Sequence, residues 1–517
     1  MKASEPSTSK ASGSNRAFSL PLDQSIQLSS KFLRTSKSRQ TSLSLSPEIV
    51  LQQVAKKIVP SDQEQEKMIG LSQTIQREVE DVLASAGIQA KVSPQGSFAR
   101  DTWLSGEADL DIFARFPPTM EREEWVEKVL PTMRKYFSRY RVLERYAEHP
   151  FLEFRVDGVR VNIVPSYDVK KGEWKSATDR TPYHTDFMQT HLTPELRREA
   201  RLLKKFAKGI GTYGAEIKIG GFSGMLIDTL VLYYQSFMET LRHASSWNKG
   251  TLLDIGKPEG IVSPKEKAPN VDLVVIDPVD PNRNLAAAVR PDKLWNFVAA
   301  GRQFLRNPGL WYFFSPEFKP KTRQQIAKRI DDTPGHELLA ITFKHPVLVP
   351  DILWGQLMKL ERSLLEIMGR EDFNPYRAAL WSDEMKESAI LVEADRTTLP
   401  AVRRQKGPPV SKSEDSVSFL EKHLSSKDTV RGPWIEGDRW MVEKKRGISS
   451  ISDLVKAATR EESYALSIPK QLGESFGKSV KVLQNREILS MLAKKGFDKS
   501  LWEFLEAKPS WLKTGRC

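Results

Sequence analysis

The stretch Gly96-Ser97-Phe98-Ala99-Arg100-Asp101-Thr102-Trp103-Leu104, continuing to Ala108-Asp109-Leu110-Asp111-Ile112-Phe113, decides how the rest of the chain is read. A strand-like run at 90–92 leads into it, and residues 108–113 alternate acidic with apolar side chains, the period of a half-buried strand. Residues i and i+2 of a strand face one side, so Asp109 and Asp111 sit about 7 Å apart along the same face. Two carboxylates so placed repel each other unless a divalent cation lies between them. Asp-x-Asp alone also fits a solvated strand face. Eleven residues separate Ser97 from Asp109, and with Gly-Ser at that spacing the metal reading is the better one. Mg²⁺ carrying nucleotide phosphates would supply the cation, Gly96 lets phosphate approach the backbone, and the Ser97 hydroxyl can donate to it.

Outward from this stretch, Ser46-Pro47-Glu48 is a helix start, with cap residue, first-position proline and early acid. Ile49, Val50, Val54 and Ile58 follow at helical spacing. A second helix from about residue 62 carries Met68, Leu71, Ile75, Val79 and Leu83 on one stripe, and Gly87 ends it. A helix over 121–136, a strand near 140–144, and strands at 152–156 and 159–164 come next. Asp157-Gly158 joins the last two as a hairpin. The N-terminal unit reads as a mixed, largely antiparallel α+β sheet.

From 194 to about 307 the pattern is mainly helical. Residues 338–443 then read strand (338–343), helix (354–368), strand (377–381), strand (389–394), helix (417–424) and strand (434–442). That βαββαβ order is ferredoxin-like. Arg403-Arg404-Gln405-Lys406-Gly407-Pro408-Pro409 reads as a basic, flexible loop, either solvated or touching phosphate. The expected division is a disordered basic Ser/Thr-rich extension (1–46), a catalytic head (47–190), a helical central domain (191–320), a ferredoxin-like tail (321–450) and a C-terminal helical segment (451–517).

Composition bounds the function. The 517 residues hold 39% hydrophobic and 28% charged residues, which fits a soluble globular protein. A net charge of +13 points to a polyanionic partner. The lone cysteine, Cys517, excludes an intramolecular disulfide, a Cys-ligated zinc site and an iron–sulfur cluster. No apolar run approaches the ~20 residues of a membrane span; the best, residues 224–232, is interrupted by Asp228. A cytoplasmic protein is expected. The first 46 residues share the Ser/Thr-rich, basic character of an organelle transit peptide but lack a sustained apolar face.

The quoted stretch closely resembles the active-site segment of the archaeal-type (class I) CCA-adding enzymes of the polymerase-β nucleotidyltransferase superfamily. Further matches follow in order: Tyr146-Ala147-Glu148-His149-Pro150, Asp179-Arg180-Thr181-Pro182-Tyr183-His184, Arg201-Leu202-Leu203-Lys204, Tyr213-Gly214-Ala215-Glu216, Gly221-Phe222-Ser223-Gly224, Asp277-Pro278-Val279-Asp280-Pro281-Asn282-Arg283-Asn284 and Gly432-Pro433-Trp434-Ile435-Glu436-Gly437-Asp438-Arg439. The resemblance implies a polymerase-β-like nucleotidyltransferase head and template-independent addition of C, C and A to the 3′ end of tRNA from CTP and ATP, with release of pyrophosphate. It further implies that Asp109 and Asp111 are catalytic and hold Mg²⁺, or Mn²⁺, that Ser97 and Arg100 hold the triphosphate, and that His184, Lys204 and Tyr213 contact nucleotide phosphate or sugar. Arg283 would read the incoming base edge. The implied partners are tRNA, CTP and ATP, with no membrane and a homodimer as one form.

One position departs from the resemblance. The family's third metal-binding carboxylate precedes Val-Pro, and Arg160-Val161-Asn162-Ile163-Val164-Pro165 places Asn162 there. Asn offers a carbonyl oxygen but no charge, and it cannot take a proton from a primer hydroxyl. Three readings follow: Asn162 serves as a neutral ligand, Asp157 or Asp168 substitutes, or catalysis is lost and a silent tRNA-binding protein remains. The first is preferred, because a silent protein has no physical need for the phosphate-binding set. A related poly(A) or oligoadenylate nucleotidyltransferase, sharing Gly-Ser and Asp-x-Asp, is the other enzyme reading.

Overall fold

The computed structural model describes residues 46–146, 149–255, 271–333, 335–459 and 467–512. All of the expected N-terminal extension but Ser46 lies outside these residues, as do Ala147 and Glu148. Among the described residues no helix is long and apolar enough to cross a membrane.

Helix α1 (Pro47–Ile58) starts as its sequence requires, with the Ser46 hydroxyl accepting from the Ile49 N–H at 3.4 Å. Its apolar stripe packs on the central helices, so α1 joins their core and not that of the head. Helix α2 (Asp62–Ser85), capped by Ser61, buries Met68, Ile75, Val79 and Leu83 against the head sheet. That sheet is built from β1 (Lys91–Gln95), β2 (Asp109–Phe116), β3 (Leu143–Tyr146), β4 (Pro150–Val156) and β5 (Val159–Tyr167), in the order β1-β2-β5-β4-β3. Every neighbouring pair is antiparallel except β2 with β5. The short α3 (Gly96–Ala99) sits between β1 and β2. The helix expected over 121–136 forms as α4 (Arg122–Glu124), a π turn (Trp125–Val129) and α5 (Leu130–Tyr136). The hairpin turns at Asp157 and Gly158, whose φ of 49° and 85° are those of the tight turn that Asp-Gly favours.

Helix α6 (Arg180–His191) closes the head, and α7 (Pro194–Gly209), α8 (Gly224–Tyr234), α9 (Phe237–Ala244) and α10 (Pro291–Arg306) make the central layer. Phe206 sits at its centre, within 5.6 to 6.0 Å of the rings of Phe237, Phe297, Phe304, Tyr312 and Phe313. A two-stranded parallel sheet, β6 (Thr251–Leu253) with β7 (Leu273–Val275), flanks it.

The tail begins with α11 (Arg323–Asp331), β8 (Glu337–Lys344), α12 (Pro350–Arg370), β9 (Pro375–Ser382) and β10 (Glu387–Ala394). Its second half differs from expectation. The supposed basic loop is strand β11 (Val402–Pro409), and with α13 (Ser413–Leu424), β12 (Thr429–Glu436) and β13 (Arg439–Lys445) it forms a separate sheet of order β11-β13-β12. The single strand expected at 434–442 is the β12–β13 hairpin, turning at Gly437 with φ 62°. Alternating basic and polar residues look like a loop, yet β11 persists because β13 takes up its backbone hydrogen bonds.

The ferredoxin-like sheet is instead completed beyond residue 450. Helices α14 (Ile451–Ala457) and α15 (Lys470–Ser479) lead to β14 (Lys481–Gln484), and the sheet order is β14-β8-β10-β9. One face is covered by α12, α14 and α15. The other is covered by α11, the 3-10 segment Asn485–Ala493 and α16 (Phe497–Glu506). The C-terminal segment expected to be helical therefore also supplies the fourth strand and part of the second cover.

Past α16 the chain returns to the central layer. Trp511, 4% exposed, stacks on Tyr312 with centroids 6.0 Å apart, and its Nε1–H donates to Asn296 Oδ1 at 2.9 Å. Trp511→Ala leaves a cavity there and should cost about 3 kcal/mol, the low end for a buried aromatic truncation. A shift in the denaturant midpoint at unchanged slope would measure it.

Candidate active site

Strand β1 runs into Gly96, whose φ of 71° is in the left-handed region, and a Cβ there would fall on the Asp111 carboxylate. Only glycine meets both demands. The first turn of α3 then places Ser97, partly exposed, at the end of the sheet.

Strand β2 carries the two acids with Leu110 and Ile112 fully buried between and after them, so both carboxylates emerge on the opposite face. The parallel register sets Asp109 beside Arg160 and Asp111 beside Asn162. Arg160 Nε donates to Asp109 Oδ1 at 2.9 Å, and its second guanidinium edge meets Oδ2. Asn162 Nδ2 donates to Asp111 Oδ1 at 2.8 Å, while its own carbonyl oxygen is buried without a hydrogen-bond partner. Burial pushes the Asp111 carboxyl above its ordinary range and repulsion from Asp109 adds to this; the Asn162 hydrogen bond and the Arg100 and Arg160 charges oppose it.

Asp157 lies in the hairpin turn, and Asp168 is engaged by Lys91 at 2.5 Å and Arg115 at 3.4 Å. Neither joins the pair. No grouping of three or more His, Cys, Asp or Glu suited to a metal occurs among the described residues. Two carboxylates and a free amide oxygen remain, an all-oxygen set that fits a hard divalent cation.

Beside this face, Arg100, 6% exposed, donates through Nε to Asp228 Oδ2 at 2.9 Å, and the Thr102 hydroxyl reaches the same oxygen at 3.3 Å. Lys204 on α7 donates to the Thr102 carbonyl at 2.6 Å. Burial lowers its pKa to about 8, with Asp228 opposing. Arg201, one turn earlier, holds the Trp103 carbonyl at 2.9 Å and pairs with Asp101, whose φ is 53°. Burial raises the Tyr213 phenol, and so does the negative charge of Asp228. A Cβ on Gly224, the first residue of α8, would lie 3.2 Å from the Tyr213 hydroxyl and 3.7 Å from an Arg100 guanidinium nitrogen. Tyr213 and Arg100 thus meet at the Ser223-capped start of α8, an arrangement of donors suited to phosphate.

His184 and Arg283 meet elsewhere, on Asp277. His184 Nε2 lies 2.8 and 2.9 Å from the two Asp277 oxygens, and Arg283 Nη1 donates to Oδ2 at 2.9 Å. His184, expected to contact nucleotide phosphate or sugar, is buried, and its Nε2 is engaged by the Asp277 carboxylate.

Sequence reasoning misses Arg160, Asp228 and Asp277 as members of the site. Arg160 is within its reach, since period 2 sets it on the face of Asn162. Asp228 shows itself only as an acid inside an apolar run, and Asp277 only as part of a matched motif.

Three family models match successive stretches of the chain. A nucleotidyltransferase domain model matches residues 76–184, a model for the second domain of tRNA nucleotidyltransferase matches 198–314, and one for the C-terminal domain of CCA-adding enzyme matches 334–485. The chain is 36% identical to the CCA-adding enzyme of Pyrobaculum islandicum, over 81% of this chain and 96% of that one. It is 33% identical to the CCA-adding enzyme of Methanosarcina acetivorans, over 86% and 95%. The corresponding Archaeoglobus fulgidus protein is 32% identical, over 84% and 93%.

Arg160 competes for the charge of Asp109, so Arg160→Gln should tighten Mn²⁺ binding about tenfold. That is well under the ~4 kcal/mol of unit charges 4 Å apart near a surface, because the Arg160 side chain is 42% exposed. Electron paramagnetic resonance of free Mn²⁺ reads the change without turnover; equal affinities would contradict the competition.

Proposed function

The chain belongs to the CCA-adding enzyme family, and on that premise we propose how its own residues add C, C and A to the 3′ end of tRNA from CTP and ATP. The observation that carries this reading is that Gly96 lies against the Asp111 carboxylate while its carbonyl accepts from the Arg100 N–H at 3.2 Å, and the Arg100 guanidinium and the Tyr213 hydroxyl both lie at Gly224. A carboxylate pair for a cation and a donor cluster for a triphosphate are thereby adjacent.

Asp109, Asp111 and the Asn162 carbonyl would hold the divalent ion, Mg²⁺ or Mn²⁺, which when bound supplies Lewis-acid stabilisation of charge at the reacting phosphate. Ser97, Arg100 and Tyr213 hold the β- and γ-phosphates against the start of α8. The tRNA 3′-hydroxyl gives its proton to solvent as its oxygen attacks the α-phosphorus in line, the bond to the β-phosphate oxygen breaks, and pyrophosphate leaves toward Arg100, Lys204 and Tyr213. Their cationic and hydroxyl donors are positioned before reaction, which lowers the barrier without reorganisation. Arg283, a donor-only side chain, meets the acceptor edge of the incoming base. Asn162 brings no charge and takes no proton, so its part is confined to its oxygen.

That neutral ligand should weaken Mg²⁺ use and shift it toward Mn²⁺. The test is incorporation of labelled CTP and ATP into tRNA lacking its 3′ end, in each ion. Addition of C, C and A is expected, and Asp109→Ala should abolish it. Asn162→Asp should lower the Mg²⁺ concentration needed and raise the rate, by up to roughly three orders of magnitude if the native site fails to hold a full ion complement. An unchanged Mg²⁺ dependence would refute the neutral-ligand reading. A silent tRNA-binding role is favoured by one observation, the pairing of Asp109 with Arg160 next to Asn162. Intact tRNA binding with no incorporation in either ion would establish it.

Lys204 gives a pH signature. With its pKa lowered to about 8, it is protonated below that pH and loses its charge as pH rises. The kcat/KM for CTP should therefore fall through about pH 8, and Lys204→Arg should flatten that limb. A native profile flat to pH 9.5 would remove Lys204 from phosphate binding.

A further inference from the structure

We infer that Asp277 is a positioning residue that aims Arg283 at the incoming base and ties that aim to His184 on α6. The inference rests on the reading in which Arg283 meets the base.

The Asp277 side chain is fully buried, whereas the Arg283 side chain is 44% exposed. A buried carboxylate is costly unless its lone pairs are satisfied. Here Oδ1 accepts from the Val279 N–H at 2.9 Å, Oδ2 accepts from Arg283 Nη1 at 2.9 Å, and His184 Nε2 bridges both oxygens. Facing a carboxylate, His184 Nε2 must carry the proton. These contacts leave Arg283 with one nitrogen anchored and the rest of its donor fork free.

The loop carrying both residues is closed on itself and held from outside. The Asp277 N–H donates to the Arg283 carbonyl at 3.0 Å, and the Arg283 N–H to the Asp280 carbonyl at 2.9 Å. Arg180, one turn before His184 on α6, donates to Asp280 Oδ2 at 2.8 Å. Helix α6 therefore grips the loop at two points, Asp280 through Arg180 and Asp277 through His184. The same helix reaches back to the phosphate side, where Gln189 Nε2 donates to the Ala99 carbonyl at 2.8 Å. Arg283 is thus set relative to the strand end that carries Ser97 and Arg100.

The consequence is selectivity. Cytosine offers N3 and O2 as acceptors on the edge where uracil offers an N3–H donor, and a guanidinium has only donors. A fixed guanidinium rejects uracil because two donors face each other. A guanidinium free to swing evades that clash and loses discrimination, as it must also give up side-chain entropy on binding. On this account His184 acts through Asp277 and not on a phosphate.

Asp277→Asn tests the idea with little change in shape. Its one remaining acceptor can keep the Val279 N–H, which turns an NH₂ toward Arg283. Equilibrium binding of CTP and of UTP to the protein–tRNA complex is measured for wild type, Asp277→Asn, Arg283→Ala and the double variant, with tRNA affinity and melting as controls. The expected result is a loss of about tenfold or more in CTP-over-UTP preference in each single variant, no further loss in the double, and near-native tRNA affinity. If Arg283→Ala loses preference and Asp277→Asn keeps it, the positioning role is overturned. If Arg283→Ala keeps preference, the base-reading assignment itself has failed, and this inference falls with it. Should Asp277→Asn melt early, His184→Gln reads the same linkage, because it frees the Asp277–Arg283 pair from α6. Undiminished preference in His184→Gln beside a loss in Arg283→Ala would overturn the tie.

Discussion

The parallel pairing of β2 with β5 is the contact on which the site depends. It brings together residues 51 apart in the chain, Asp109 with Arg160 and Asp111 with Asn162. A slip of one residue would turn both acids into the core and Leu110 and Ile112 out of it. The apolar cost of that slip is what fixes the carboxylates. Hydrophobic burial on one face of β2 thus does the positioning for chemistry on the other.

Behind the cationic and hydroxyl donors lies a layer of buried carboxylates. Asp228 sits under Arg100 and Thr102, and Asp277 under Arg283 and His184. A long cationic side chain in water samples many rotamers. One anchored to a buried acid is already oriented when an anionic ligand arrives. Arg160 pairs instead with the half-buried Asp109, and there it offsets a charge that a cation would use. Together with Asn162 it leaves the carboxylate face less negative than two free acids and a third would be.

The tail shows how a sheet is finished late. Strands β8, β9 and β10 come early in the tail, and the small β11-β13-β12 sheet is inserted before β14 completes the order. The family-model match ends at residue 485, and the residues beyond it cover the second face and carry Trp511 into the central core. That return ties the last segment of the chain to the layer that also holds Lys204 and Asp228.

Local rules act over a few residues, and what they govern is legible in the sequence. Period 2 sets Asp109 and Asp111 on one face, Asp157-Gly158 announces its hairpin, Ser46-Pro47-Glu48 its helix start, and the matched motifs name Arg100, Lys204, Tyr213 and Arg283. Choices among distant partners are not legible in this way. Residues 434–442 look like the last strand of the ferredoxin-like sheet, yet β14 completes it, because alternation marks a strand without saying which edge it will join. The basic run 403–409 looks like a loop, since hydrogen bonding to β13 is invisible in composition. Asp228 is a mere interruption of an apolar run until packing places Arg100 and Thr102 on it, and only packing sets His184 against Asp277. Side-chain periodicity and turn chemistry are properties of neighbours in sequence, whereas burial and charge pairing arise when segments tens or a hundred residues apart are pressed together.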